Sequence, residues 1–161
     1  MAANELSTLL WRERELLELL MFKLEEEQLL LTTGKSKWLP FATREVEQVL
    51  ARLRKVGVER TVESAIVALG WGLSDDATLT ELAAASPSDA WREVFESHLL
   101  ALTTLTAQIA DVRDTNLSYL RAASRSTQET LANLHVETGA YNDRGAPAMA
   151  ASGGHLFDGR F

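Results

Sequence analysis

The chain has 161 residues, 46% hydrophobic and 24% charged, which suffices for one domain or for a bundle sharing a single seam. Its net charge of −7 lacks the basic footprint of a phosphate-backbone binder, so no nucleic-acid partner is expected. It has no cysteine, which excludes a disulfide framework, a thiolate metal site and a cysteine nucleophile. The first residues lack the basic and apolar regions of a secretory signal, and no apolar run approaches the roughly 20 residues of a membrane span. A cytoplasmic location without membrane insertion is the expectation.

Abundant Leu, Ala, Glu and Arg favour helices over sheets. The first helix is expected over residues 5–33. Leu6, Leu9, Leu10, Leu16, Leu17, Leu20, Met21, Leu24 and Leu31 share one side at ~100° per residue, and charges fill most of the rest. Glu25 to Glu27 read as a solvated acidic face. A second stripe, Trp11, Phe22 and Leu29, lies roughly opposite the first. It reads either as core under a third helix, the preferred reading, or as an exposed docking surface. Gly34 then ends the helix in a tight reversal.

Ser36 reads as the cap of a second helix over 37–70, with Pro40 tolerated in or near its first turn. Leu39, Ala42, Val46, Val49, Leu53 and Val56 alternate steps of three and four, the spacing of helices packed at a shallow angle. The apolar phase slips near Gly57 and resumes as Val62, Ile66 and Leu69, which reads as a kink or stutter. A loop through Trp71 and Asp76 leads to a short helix over 78–85. Ser86-Pro87-Ser88-Asp89 then reads as a helix start with Ser86 as cap and Pro87 at the first position.

The last helix, expected over 87–136, carries the longest regular pattern: Trp91, Phe95, His98, Leu102, Leu105, Ile109, Val112, Asn116, Tyr119 and Ala123. At 1.5 Å per residue it would run roughly 75 Å, too long to be covered by itself; the earlier helices or a partner must lie against it. Beyond Ala123 the seam thins to small and polar residues, with Leu131, Leu134 and Val136 as remnants. The chain is therefore expected to be all-α, an elongated antiparallel bundle of three long helices plus one short one with coiled-coil-like packing, over residues 1–137. Residues 138–161 hold five of the nine glycines and read as a disordered tail.

No catalytic constellation emerges. His98, His135 and His155 are too far apart for a local ligand pair, and His98 on the seam reads as a satisfied core histidine. Asp75-Asp76 reads as a solvated capping pair, and no phosphate-cradling loop or nucleophile elbow occurs. The expectation is no enzyme, no metal and no cofactor. Asn116 on an otherwise apolar seam reads first as a register-setting polar residue and second as a partner contact.

LWRERELLELLMFKLEEEQLLL (Leu10 to Leu31), Gly34, Trp38-Leu39 and TREVEQVLARLR (Thr43 to Arg54) together resemble the FlgN family of flagellar export chaperones. GWGLSDDATLTELA (Gly70 to Ala83) and DTNLSYLRAASRSTQETLANL (Asp114 to Leu134) are similar to it more loosely. The resemblance implies a chaperone that covers the C-terminal amphipathic segment of hook-associated proteins, prevents their premature assembly and presents them to export gate components. Leu105, Ile109, Val112, Asn116, Leu120, Leu131 and Leu134 are the candidate cargo-binding residues. Tyr141, in a stretch similar to a Tyr-and-Gly motif that often follows the family's last helix, is the export-gate candidate. The alternative is a structural coiled coil that self-associates through the last helix, and homodimerisation is left open.

Overall fold

A computed structural model describes residues 1–139, with side chains through 136. Helix α1 spans Ala2–Thr32, α2 Leu39–Gly70, α3 Leu79–Ala84 and α4 Asp89–Gly139. The described residues contain no strand. Residues Met1–Leu120 form one compact unit and Arg121–Phe161 a second.

Within the first unit α1 and α2 form an antiparallel hairpin. Gly34 makes the reversal: its φ of 71° lies in the left-handed region, and Lys35 N–H donates to Leu30 O at 3.0 Å, closing the six-to-one bond of a Schellman end. Residues Ser36–Trp38 form a 3-10 turn, so α2 starts at Leu39, two residues later than the sequence suggests, with Pro40 in its first turn. Gly72 repeats the device at the end of α2, with φ 76° and Leu73 N–H bonded to Ala68 O at 2.9 Å.

The short α3 is held by a reciprocal cap. Thr78 Oγ1 accepts from Glu81 N–H at 3.3 Å, while Thr78 N–H donates to Glu81 Oε2 at 2.7 Å. The Thr78 N–H and the Thr78 hydroxyl both donate to the Glu81 carboxyl and favour its ionised form, so the Glu81 pKa lies below its ordinary value. Helix α4 begins two residues after the expected start. Ser88, not Ser86, caps it by accepting from Trp91 N–H at 3.3 Å, and the Ser86 hydroxyl instead donates to Ser88 O. The proline precedes the helix because the cap sits after it.

Two buried clusters form along the seam. Leu6 and Leu10 of α1, Val67 and Ala68 of α2, Leu82 and Ala83 of α3 and Phe95 of α4 make the first. Leu20 and Leu24 of α1 with Val46 and Val49 of α2 make the second, against which Leu53, Ile109 and Val112 pack. The first half of α4 thus runs parallel to α1 and antiparallel to α2.

The expected stutter in α2 is absent. The helix passes through Gly57 without interruption, and the inward-facing positions keep their spacing from buried Val56 through half-buried Arg60 and Glu63 to buried Val67. What shifts phase is the apolar pattern alone: Val58, Val62, Ile66 and Leu69 are exposed, and the seam between Val56 and Val67 is filled by Arg60 and Glu63. Arg60 Nε lies 3.0 Å from Glu13 Oε2 across that seam. Burial raises the Glu13 pKa, and the Arg60 charge opposes the rise.

Candidate binding surfaces

The first half of α4 is tied to α1 by side chains the seam pattern singles out. Phe95 is fully buried, stacked on Trp91 at 5.6 Å and edge-on to Trp71 at 5.8 Å. One turn on, His98 is buried with Nδ1 3.4 Å from an Arg14 guanidinium nitrogen and Nε2 3.2 Å from Ser7 Oγ. Arginine can only donate, so Nδ1 accepts, and the neutral ring carries its proton on Nε2 toward Ser7. Burial, followed by the Arg14 charge, lowers the His98 pKa. The core reading of this histidine holds.

Asn116 is also buried, and its register-setting role has a visible basis. Nδ2 donates to the backbone carbonyl of Leu24 at 2.8 Å and to Glu27 Oε1 at 3.2 Å. Thr43 Oγ1 donates to the other carboxylate oxygen of Glu27 at 3.1 Å, so three helices meet at one acid. Glu27 is buried, which corrects the reading of Glu25 to Glu27 as a uniformly solvated face; Glu25 alone of the three is exposed. A run of three acids spans about 200° of helix, so one member can face the seam while another faces water. The network was missed because an acid in a charged run gives no sign of its donors, which lie 16 and 89 residues away.

The remaining candidates divide by position. Ile109 and Val112 pack on the second cluster; Leu105 and Leu120 are half-buried. From Arg121 to Val136 every residue is exposed while the backbone stays helical. Leu131 is 54% exposed, Leu134 52% and Val136 72%. Tyr141 and almost all of the tail over 138–161 lie outside the described residues.

Trp11, Phe22 and Leu29 are each more than half exposed, which overturns the preferred core reading of that stripe. The third helix covers the opposite side of α1, where Leu6, Leu10 and Leu24 lie. Trp11 nonetheless has polar company, with the Arg14 guanidinium 4.1 Å from its ring centre and His98 edge-on at 5.2 Å. Farther along the hairpin, Lys23 Nζ donates to Glu45 Oε2 at 2.9 Å. That bond raises the lysine pKa and lowers the glutamate's.

Among the described residues no group of His, Asp and Glu could hold a metal ion, and no helix is long and apolar enough to cross a membrane. What the surface offers is apolar helix faces, the material of protein recognition. No curated protein and no solved structure matches the chain. A family model described as FlgN protein matches residues 1–148, nearly the whole length. The chain belongs to the FlgN family of flagellar export chaperones.

Proposed function

We propose that this chaperone acts in the cytoplasm, binds the C-terminal amphipathic segment of hook-associated proteins through the last part of α4, holds them unassembled and delivers them to the export gate. The observation that carries the reading is the uninterrupted exposure of residues 121–136 in helical conformation, with Leu131, Leu134 and Val136 on the outside. An amphipathic cargo helix supplies the kind of apolar face that such a surface accepts. Leu120 stands at the start of this stretch, and Leu105 is half-buried upstream. Ile109, Val112 and Asn116 already have partners within the bundle.

Co-expression with a tagged hook-associated protein tests the proposal. The wild-type chain should co-purify, and Leu131→Asp with Val136→Asp should not, while helix content stays the same. Failure of the well-folded wild type to associate overturns the reading. Tyr141 is proposed for gate recognition: Tyr141→Ala should keep cargo capture and reduce export.

The second reading, self-association through α4, draws on the same exposure. Its weakness is chemical, because Ala123, Ser126, Thr127 and Thr130 supply no large apolar knobs for a coiled coil. Light scattering separates the two: a stable dimer dissociated by the Leu131→Asp change would favour self-association.

A further inference from the structure

The phase shift in α2 builds a second surface, far in sequence from the proposed cargo helix. Val58 is 67% exposed, Val62 55%, Ile66 49% and Leu69 64%, at spacings of four, four and three. These side chains share one outward face of a continuous helix. A groove of about 620 Å³ runs between α2 and α1 at this place, lined by Val58, Glu59, Val62 and Glu63 on one side and Asn4, Glu5, Thr8 and Leu9 on the other. One turn further, Ile66 lines a second depression with Gly70 and Trp71. From Val58 to Gly70 the helix axis covers about 18 Å, the length of roughly three turns of a docked helix.

The charge around the groove selects its occupant. Its lining holds three carboxylates, Glu5, Glu59 and Glu63, and no basic residue. Arg12 approaches Glu59 from outside the lining at 3.8 Å, and both side chains are substantially exposed, so that contact does little to offset the acidity. One oxygen of Glu63 is shielded from solvent and has no hydrogen-bond donor.

We propose that this groove is a docking site for an amphipathic helix of a partner protein with apolar residues on one face and lysine or arginine along its flanks. Two other occupants fit less well. A second copy paired through the same face would set three carboxylates against three. The chain's own residues 140–161 carry Asp143 and Asp158 against Arg144 and Arg160, with no basic excess to match the banks. Apolar residues at i, i+4 and i+7 on the incoming helix would meet Leu9, Val58 and Val62, as in other helix-in-groove complexes. The site is separate from the proposed cargo surface and does not rest on it.

The test uses a fluorescein-labelled amphipathic peptide, leucines on one face and lysines on the flanks, beside the same peptide with glutamates replacing the lysines. Anisotropy with the full chain should show saturable binding of the basic peptide alone. Val62→Asp, and separately Glu5→Gln with Glu59→Gln, should weaken it by about tenfold or more, with circular dichroism unchanged. Removing two acids elsewhere, Glu18→Gln with Glu47→Gln, should leave it nearly intact, as should Leu131→Asp. Equal weakening by the two glutamine pairs would reduce the effect to net charge and overturn the proposal. So would equal binding of the acidic peptide, absence of binding, or a wild-type dimer that Val62→Asp dissociates.

Discussion

The two parts of α4 share a helical backbone and differ in everything that surrounds it. Before Leu120, buried Phe95, His98 and Asn116 recur on one face, and each is engaged by α1 or by a neighbouring aromatic ring. After Leu120 no side chain through Val136 is buried. Helix propensity alone does not separate the two stretches; the thinning of the apolar seam beyond Ala123 and the presence of tertiary partners before Leu120 do. The first part should therefore respond to substitution in stability, and the second in binding.

Phe95→Ala should show the largest effect on the folded state. It removes a fully buried ring between Trp71 and Trp91, and truncations of this kind cost about 3–5 kcal/mol. Chemical denaturation should show the midpoint falling without a change in slope if the rest of the bundle keeps its structure.

Asn116 offers a graded test. Asn116→Leu removes the donor to Glu27 and leaves a buried carboxylate oxygen short of one partner, a loss of about 1–3 kcal/mol. Asn116→Asp goes further, placing a second carboxylate where an amide nitrogen now lies 3.2 Å from Glu27 Oε1. Like charges at that distance in a buried site should cost about 3 kcal/mol or more at neutral pH. At neutral pH the Asp variant should therefore be the less stable of the two in chemical denaturation. Equal losses from both would mean that Glu27 is not the residue that matters.

The same region shows what sequence periodicity could and could not reveal. Positions 42, 46, 49, 56, 95, 98 and 116 follow from steps of three and four, because helix geometry alone sets which side chains share a face. The pattern breaks down in α2 beyond Val56, where the apolar residues turn outward and the seam carries Arg60 and Glu63. An apolar stripe that changes phase within an uninterrupted helix signals a second, outward face as well as a stutter, and only packing distinguishes them. The Trp11 stripe fails for a related reason: α2 and the first part of α4 bury the other side of α1, and Trp11, Phe22 and Leu29 stay more than half exposed. The partnership of Glu27 with Thr43 and Asn116 depends on which residues meet across helices, which a one-dimensional pattern does not encode.

His98 should make the first part of α4 sensitive to mild acid. Its folded pKa lies below the ordinary value near 6.5, so the unfolded chain takes up the proton first as pH falls. Stability is then full above about pH 6.5 and declines as pH drops toward the folded pKa. Protonation of Nδ1 would also remove the acceptor that Arg14 now faces. The melting temperature should fall modestly between about pH 7 and pH 5.5, and His98→Gln should flatten that slope. Glu13 works in the opposite sense, since its raised pKa favours proton uptake by the folded state at lower pH. An unchanged slope in the His98 variant would assign the acid response to other groups.

The smallest expected effect on stability decides the comparison. Leu131→Asp and Val136→Asp alter side chains that already face water, so each should change stability by within about 0.5 kcal/mol. Ile109→Asp lies on the same helix but introduces a carboxylate against the cluster of Leu20, Leu24, Val46 and Val49, and should cost about 2 kcal/mol or more. Measured together, thermal melts and cargo co-purification should separate the variants: Ile109→Asp should lose stability first, and the distal pair should lose binding alone. If the distal pair destabilised the fold as much as Ile109→Asp, the far part of α4 would be ordinary core. If it affected neither readout, the cargo-binding surface would have to be sought elsewhere on the molecule. Because a defect in binding alone cannot come from general unfolding, the divergence of the two readouts carries more weight than either loss taken separately.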